Sequence, residues 1–414
     1  MSTFDRRYEQ ISRSELEQMQ LERLQALLAR LRRNVRRYRE KLGDFRLQSL
    51  ADLPRLPFTT QEDMVESFPY GMFAFPLREV IRLHSTLGPG GKPLVIGHTR
   101  NDLALWSRLV ARQLSASGVT ANDVVQVCLG SGVYRGASGY VMGAETVEAS
   151  VIAEEPFHID SQLAMLQSYR PTMLVTTPDN ARELMKTLQH RRIDPPSLHL
   201  RTVLLSRPVS RETRQALEAG LLVAVRCNCG VDEILDSGFC VECDAGHFHV
   251  NEDQFLVEVQ DGELGVTTLL REAVPLLRYR TRIAATLRRE KCPCGRTGAI
   301  LEPGPRLDGR LRVRESPLYE CQIAEVLAQT RAAGHRFHVE VAERSGTGSL
   351  DEVVDRRPQA CPDDRLLDHE PAHFHDGDTF QRTAEFADSR SRSTYDVCLF
   401  HVYQLSFLNS CLDR

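Results

Sequence analysis

The chain has 414 residues, 42% of them hydrophobic, and a formal net charge of −4. That length and apolar content fit two or three domains with sizeable cores, and the mild acidity gives no electrostatic reason to expect a nucleic acid or an anionic membrane as a partner. The longest apolar runs, such as residues 221–225, fall far short of the roughly 20 residues that a membrane span needs. The first ten residues are charged and carry no apolar signal core, so a cytoplasmic location is expected.

Residues 14–41 read as one long amphipathic helix. Leu16, Met19, Leu21, Leu24, Leu27, Leu28 and Leu31 recur at helical spacing among Glu, Arg and Gln, and Ser14 with Glu17 supplies a capping box. The arginines between Arg30 and Arg39 read as a solvated helix face, because acidic residues flank them. From about 76 to 275, β-rich runs (80–83, 124–129, 151–153, 173–176, 202–205, 222–226) alternate with helical stretches (99–117, 161–168, 181–189, 211–219). This alternation predicts an α/β architecture of sheets flanked by helices. Between 255 and 315 the pattern changes to strand and turn (255–259, Asp261-Gly262, 264–269), which predicts a smaller β subdomain. After about 345 the chain is polar with weak periodicity, and no lysine follows Lys291.

Two segments carry chemistry. Residues 84–93, HSTLGPGGKP, form a glycine-rich turn ending in Lys92, able to present backbone N–H groups and a cation to phosphates. It is not the Walker pattern, since Thr86 stands at its first glycine and Pro93 replaces the magnesium-binding hydroxyl. The second segment gathers six of the 11 cysteines: Cys227, Cys229, Cys240, Cys243, Cys292 and Cys294. Cys240-x-x-Cys243, His247, His249 and Cys292-x-Cys294 have the spacing of a tetrahedral zinc site, with unrelated reduced thiols as the alternative.

The segments ISRSELEQMQLERLQALL, LPFTTQEDM, FPYGMFAFPLREVIRLH, IGHTRNDLALW and GELGVTTLLREAVPLLRYRTR, in this order, closely resemble phenylacetate–CoA ligases, and the resemblance runs from about residue 8 to 330. It implies an N-terminal adenylation domain over 1–304 with the Cys/His loop at 240–294. A hinge and the start of a small, degenerate C-terminal domain follow over 305–350, and 351–414 form a divergent tail. It also implies a carboxylic acid activated with Mg-ATP to an acyl-adenylate and then transferred to CoA. A homodimer is compatible with it. The alternative is a catalytically impaired relative that serves as a binding or interaction protein.

Residue by residue, the resemblance implies that Gly88, Gly91 and Lys92 hold phosphates, while Leu87, Pro89 and Gly90 replace a serine and two threonines of the family loop. Asp232 and Glu233 match a nucleotide- and magnesium-binding motif in which Cys229 replaces a tyrosine. Ile283 replaces the aspartate that binds both ribose hydroxyls, and Arg306 with Asp308 matches the hinge. Lys92, Glu233 and Arg306 are the implied catalytic residues. The acyl pocket is implied around Gly130, Tyr134, Gly136 and Ser206, with Arg207 in the second pocket segment. Similarity also favours Cys243, His249, Cys292 and Cys294 as ligands of a structural zinc, with Cys240 and His247 in reserve.

Overall fold

The computed structural model describes residues 3–88, 92–129, 136–152 and 159–308, together with the backbone of four short strands beyond them. Contacts divide the chain into two compact units, Met1–Arg310 with Arg314–Ser316, and Leu311–Val313 with Pro317–Arg414.

The first unit opens with α1 (Arg6–Glu9), α2 (Arg13–Asn34) and α3 (Arg36–Leu42). The expected single helix is broken at Val35, whose extended backbone (φ −117°, ψ 111°) ends α2 while its side chain stays in the core. The capping box is also two residues earlier than expected. Ser12 is the N-cap and Glu15 its partner, so Ser14 lies inside the helix. The short helix α4 (Gln61–Glu66) follows, capped by Thr60 and Asp63.

A two-stranded antiparallel hairpin, β1 (Val80–Leu87) and β2 (Pro93–Thr99), leads into α5 (Arg100–Ala116), with Thr99 and Asp102 as the capping box. Next come β3 (Val124–Cys128), α6 (Gly136–Thr146), β4 (Ser150–Ile152), α7 (Ile159–Tyr169), β5 (Met173–Thr176), α8 (Pro178–Arg191), β6 (Thr202–Leu205), α9 (Arg211–Leu221) and β7 (Ala224–Cys227). These five strands form one parallel sheet in the order β4-β3-β5-β6-β7. The continuous burial of β5, with all four residues inside, is what a parallel strand covered on both faces requires. Strand β7 starts two residues later than its apolar run, because Leu222 is the left-handed C-cap of α9.

The β subdomain comprises β8 (Cys240–Glu242), β9 (Phe248–Val250), β10 (Phe255–Gln260), β11 (Glu263–Thr268), β12 (Tyr279–Arg288) and β13 (Ile300–Arg306), in the sheet order β10-β11-β12-β13-β9-β8 with antiparallel pairing. The main core runs from α2 through α5 and α6 to β10–β12, and a second core lies between the parallel sheet and α7–α9. Among the described residues no helix is long and apolar enough to cross a membrane. Beyond residue 310, β14 (Leu311–Val313) pairs with β15 (Ser316–Leu318), and β16 (Phe337–Ala342) with β17 (Leu399–Gln404).

Candidate active site and metal centre

Strands β1 and β2 flank the glycine-rich segment in sequence. The strands pair from Val80↔Thr99 to Leu87↔Pro93, and the Gly88 N–H donates to the Lys92 carbonyl at 2.7 Å. A side chain at Gly88 would meet Leu94 at 2.9 Å. Lys92 is exposed. Pro89, Gly90, Gly91, Gly130 and Tyr134 lie outside the described residues, and Gly136 opens α6. Strand β1 has an inverted polarity that sequence reading missed. Ile81 and Leu83 are 53% and 47% exposed, whereas Arg82, His84 and Thr86 are the less exposed set. His84 and Trp106 flank the buried His98 ring, with centroids 4.9 and 5.3 Å away.

Glu233 sits at the tip of a tight turn. Val231 N–H donates to the Leu235 carbonyl at 3.0 Å, and Ile234 N–H to the Val231 carbonyl at 2.9 Å. Gly230 makes the turn possible, since a Cβ there would lie 1.6 Å from the Asp236 carbonyl oxygen. Although in a turn, Glu233 is only 1% exposed, and its Oε1 accepts from Gln61 Nε2 of α4 at 3.0 Å. Arg306, the last residue of β13, donates Nε and Nη2 to the two carboxylate oxygens of Asp308 at 2.9 and 2.6 Å. Burial alone would lower the Arg306 pKa. The Asp308 pair and the Glu233 and Asp232 charges outweigh burial and raise it above its ordinary value. The fold thus gathers Asp232, Glu233, Arg306 and Asp308 into one mixed-charge cluster. Ile283 is the direct ladder partner of Arg306, and Leu307 N–H donates to the Arg282 carbonyl beside it at 2.7 Å.

Ser206 follows β6 at the carboxyl edge of the parallel sheet and is 4% exposed. Its N–H donates to the Thr176 carbonyl at 2.8 Å, and its carbonyl accepts from Asn228 Nδ2 at 3.2 Å. In open parallel sheets the crevice beyond the strand carboxyl ends is where ligands bind. Arg207 there is paired with Asp179 at 3.6 Å.

The Cys/His residues meet in a second place. Cys243, His249, Cys292 and Cys294 offer four donor atoms all within 4.8 Å of one another. Cys243 and Cys292 sulfurs are 3.7 Å apart, and Cys294 Sγ is 3.3 Å from His249 Nε2. With metal–sulfur bonds near 2.3 Å, a tetrahedron has edges of about 3.8 Å, so the donor set fits a tetrahedral metal. His249 Nδ1 lies 2.9 Å from the Gly298 carbonyl. That carbonyl can only accept, so Nδ1 carries the proton and Nε2 faces the cysteines with its lone pair. Burial lowers the His249 pKa, keeping the neutral, ligating form. His247 stands beside the set, with Nδ1 3.4 Å from Cys292 Sγ. Cys240 lies elsewhere. Its thiol is pushed well above its ordinary pKa by burial and by the neighbouring Cys229.

The N-terminus is stapled to this loop. Glu9 and Arg296 form an ion pair at 2.8 Å with both side chains 2% exposed, and Thr297 bonds the carbonyls of Glu9 and Ile11 at 3.1 and 2.7 Å.

A parallel sheet flanked by helices, a glycine-rich hairpin and a β subdomain together define the fold of the adenylate-forming ligases. The structure is similar to that of 2-hydroxyisobutyryl-CoA ligase in complex with 2-HIB-AMP and CoA in the thioesterification state, with a TM-score of 0.74 and 22% identity over 82% of this chain and 78% of that one. In sequence, the chain is 34% identical over 366 residues to phenylacetate-coenzyme A ligase of Thermus thermophilus, spanning 83% of this chain and 82% of that protein. It is 30% identical over 378 residues to the Escherichia coli protein of the same name, spanning 84% of each. The chain belongs to the phenylacetate–CoA ligase family. No protein-family model matches it.

Proposed function

We propose that this chain is an AMP-forming acyl-CoA ligase acting on an aryl or other carboxylic acid, and that the buried cluster of Glu233, Asp232 and Arg306 is its nucleotide site. The observation that carries the reading is the burial of Glu233 beside Arg306 in a fold shared with adenylate-forming ligases. ATP supplies the adenylyl group, Mg²⁺ offsets phosphate charge, and CoA supplies the acceptor thiol. A pair of carboxylates is a donor set suited to a hard cation such as Mg²⁺. In this reading Glu233, with Asp232, holds the metal, and the Gln61 bond keeps one carboxylate oxygen oriented. Lys92 binds phosphate oxygens, a role that the resemblance also assigns to Gly91, whereas the Gly88 N–H is already committed to the Lys92 carbonyl and is not available for it. Arg306, held by Asp308, places a fixed positive charge beside the reacting phosphate. The carboxylate of the acid attacks the α-phosphorus and pyrophosphate leaves. The CoA thiolate then attacks the acyl carbon and AMP leaves. The resemblance assigns the acyl pocket to Gly130, Tyr134, Gly136 and Ser206.

Cys243, His249, Cys292 and Cys294 hold a structural zinc in the same reading, because four protein ligands leave no open position for catalysis. Ligation by Cys243, Cys292 and Cys294 requires reduced thiols, and we place the enzyme in the cytoplasm.

The test is acid-dependent ATP–pyrophosphate exchange over a panel of carboxylic acids with the wild type and Glu233→Gln. Removing a metal ligand should cost several kcal/mol of charge stabilisation, on the order of a 10²-fold loss of exchange. An unchanged rate in the variant would rule out the role of Glu233. No exchange by the wild type with any acid would overturn the ligase reading.

A further inference from the structure

Arg271, in the loop between β11 and β12, is 6% exposed. Its Nη1 donates to the carbonyl of Ile234, the residue after Glu233, and its Nη2 donates to the carbonyl of Gly97 on β2 at 3.4 Å. Among the described residues Nε has no partner and no carboxylate hydrogen-bonds the group. Burial lowers its pKa, and the more distant charge of Asp102 only partly offsets this. A buried cation without a hydrogen-bonded counter-ion is costly, and an apolar side chain of similar volume avoids that cost. What only a guanidinium offers is a rigid planar fork that reaches two acceptors at a fixed separation.

The base of the fork is itself anchored. The Arg271 carbonyl accepts from Arg30 Nη2 of α2 at 2.6 Å. The amides of Glu272 and Ala273 donate to the Asp102 carboxylate at 2.8 and 2.9 Å. The Glu272 carboxylate accepts from Thr99 Oγ1 at 2.6 Å, at the end of the hairpin. Strand β2 is also closely packed at the contact, since a Cβ on Gly97 would lie 2.5 Å from the Phe73 ring. One fork therefore joins the hairpin that carries Lys92 to the turn that carries Glu233.

We infer that Arg271 is a positioning residue that sets the spacing between the glycine-rich hairpin and the acidic turn; its effect on turnover rests on the ligase reading, and the coupling itself does not. Arg271 directs its hydrogen bonds to two backbone carbonyls and is not among the residues assigned to nucleotide, metal or acid. It acts by holding two backbone segments in register with each other.

The experiment compares full-length wild type, Arg271→Met and Arg271→Lys by amide hydrogen exchange and by ATP–pyrophosphate exchange. In Arg271→Met, amides of 94–99 and 231–236 should exchange faster together, while 173–176 and 202–205 in the parallel sheet stay at the wild-type rate. Since a misplacement of about 1 Å can cost roughly 10²-fold, kcat for pyrophosphate exchange should fall by about tenfold or more, with the KM for the acid within about twofold. Arg271→Lys, with one reach instead of two, should keep protection at only one of the two segments. Wild-type protection at both segments in both variants overturns the inference, and so does an Arg271→Met variant in which one segment loosens alone. If Arg271→Met does not fold, Arg271→Lys decides by the same readouts. If the wild type lacks pyrophosphate exchange, the ligase reading fails and the hydrogen-exchange result alone decides the coupling.

Discussion

Aspartate in place of Ile283 would put a carboxylate on β12 directly opposite Arg306 of β13. Residues paired this way have Cβ atoms about 4.5–5.5 Å apart, so the new carboxylate would join the edge of the Asp232, Glu233, Arg306 and Asp308 cluster. The resemblance implies that an aspartate at this position accepts hydrogen bonds from both ribose hydroxyls. Each bond to a charged group contributes roughly 1.5–3 kcal/mol, so one restored bond predicts ATP binding tighter by about 10- to 100-fold. The opposing cost is modest. Ile283 is partly buried and packs on the main core. Complete burial of such a side chain contributes about 1.5–3 kcal/mol, so losing a partly buried one costs about 1 kcal/mol. An opposite-charge pair across the ladder returns about 0.2–1 kcal/mol. Arg306 is already held by two bonds to Asp308, which limits capture of the new carboxylate by its neighbour. Calorimetric titration of ATP into both proteins, with thermal melts alongside, makes the measurement. Equal affinity in the two proteins would refute the placement of the ribose at 283. No binding by either would refute the nucleotide pocket.

Protein purified without chelators should carry about one zinc per chain and melt at lower temperature once the metal is removed, since structural zinc contributes on the order of 10 kcal/mol in small domains. Metal analysis that finds no zinc would sink that assignment. Gly230→Ala forces a Cβ to 1.6 Å from the Asp236 carbonyl, so the turn must shift. The expected loss is roughly 1–3 kcal/mol in denaturant unfolding, and a wild-type midpoint would show that the turn yields freely. Asp63 caps α4; burial raises its pKa, but Lys41, the Thr60 amide and Arg37 outweigh it and hold the carboxyl below its ordinary 3.8. A depressed carboxyl stabilises the fold above its unfolded-state pKa, and that contribution disappears as pH falls through the folded one. Wild-type unfolding midpoints should therefore drop on acidification below about pH 4, and Asp63→Asn should show a shallower drop. Parallel pH profiles for the two would contradict this.

The architecture was legible where one physical signal dominated. The apolar runs of β5 and β6 matched at both ends, because strands covered on both faces need nothing but apolar side chains. Boundaries set by capping were less legible. Ser12 and Ser14 have the same side chain and both precede a glutamate by three residues, and only the backbone decides which one caps. The grouping of Cys243, His249, Cys292 and Cys294 followed from resemblance and spacing, whereas the Gly298 carbonyl beside His249 left no trace in composition. The inward Arg82, His84 and Thr86 were hidden because their exposed neighbours Ile81 and Leu83 carry the apolar signal. Arg271 was equally hidden. A single arginine in a motif otherwise rich in apolar residues does not reveal that its partners are two backbone carbonyls.

The staple between Glu9 and Arg296 joins positions 287 residues apart. Loop closure over such a distance has to wait for its second half, and contacts of this range slow folding. On a translating ribosome the first helices emerge early, yet their anchoring point is made almost last within the first unit. Until residue 296 is released, the apolar stripe of Leu16, Leu24, Leu27 and Leu31 lacks part of its final cover. The segment around Glu9 therefore has a long wait for its partner during synthesis and is open to chaperones in that interval.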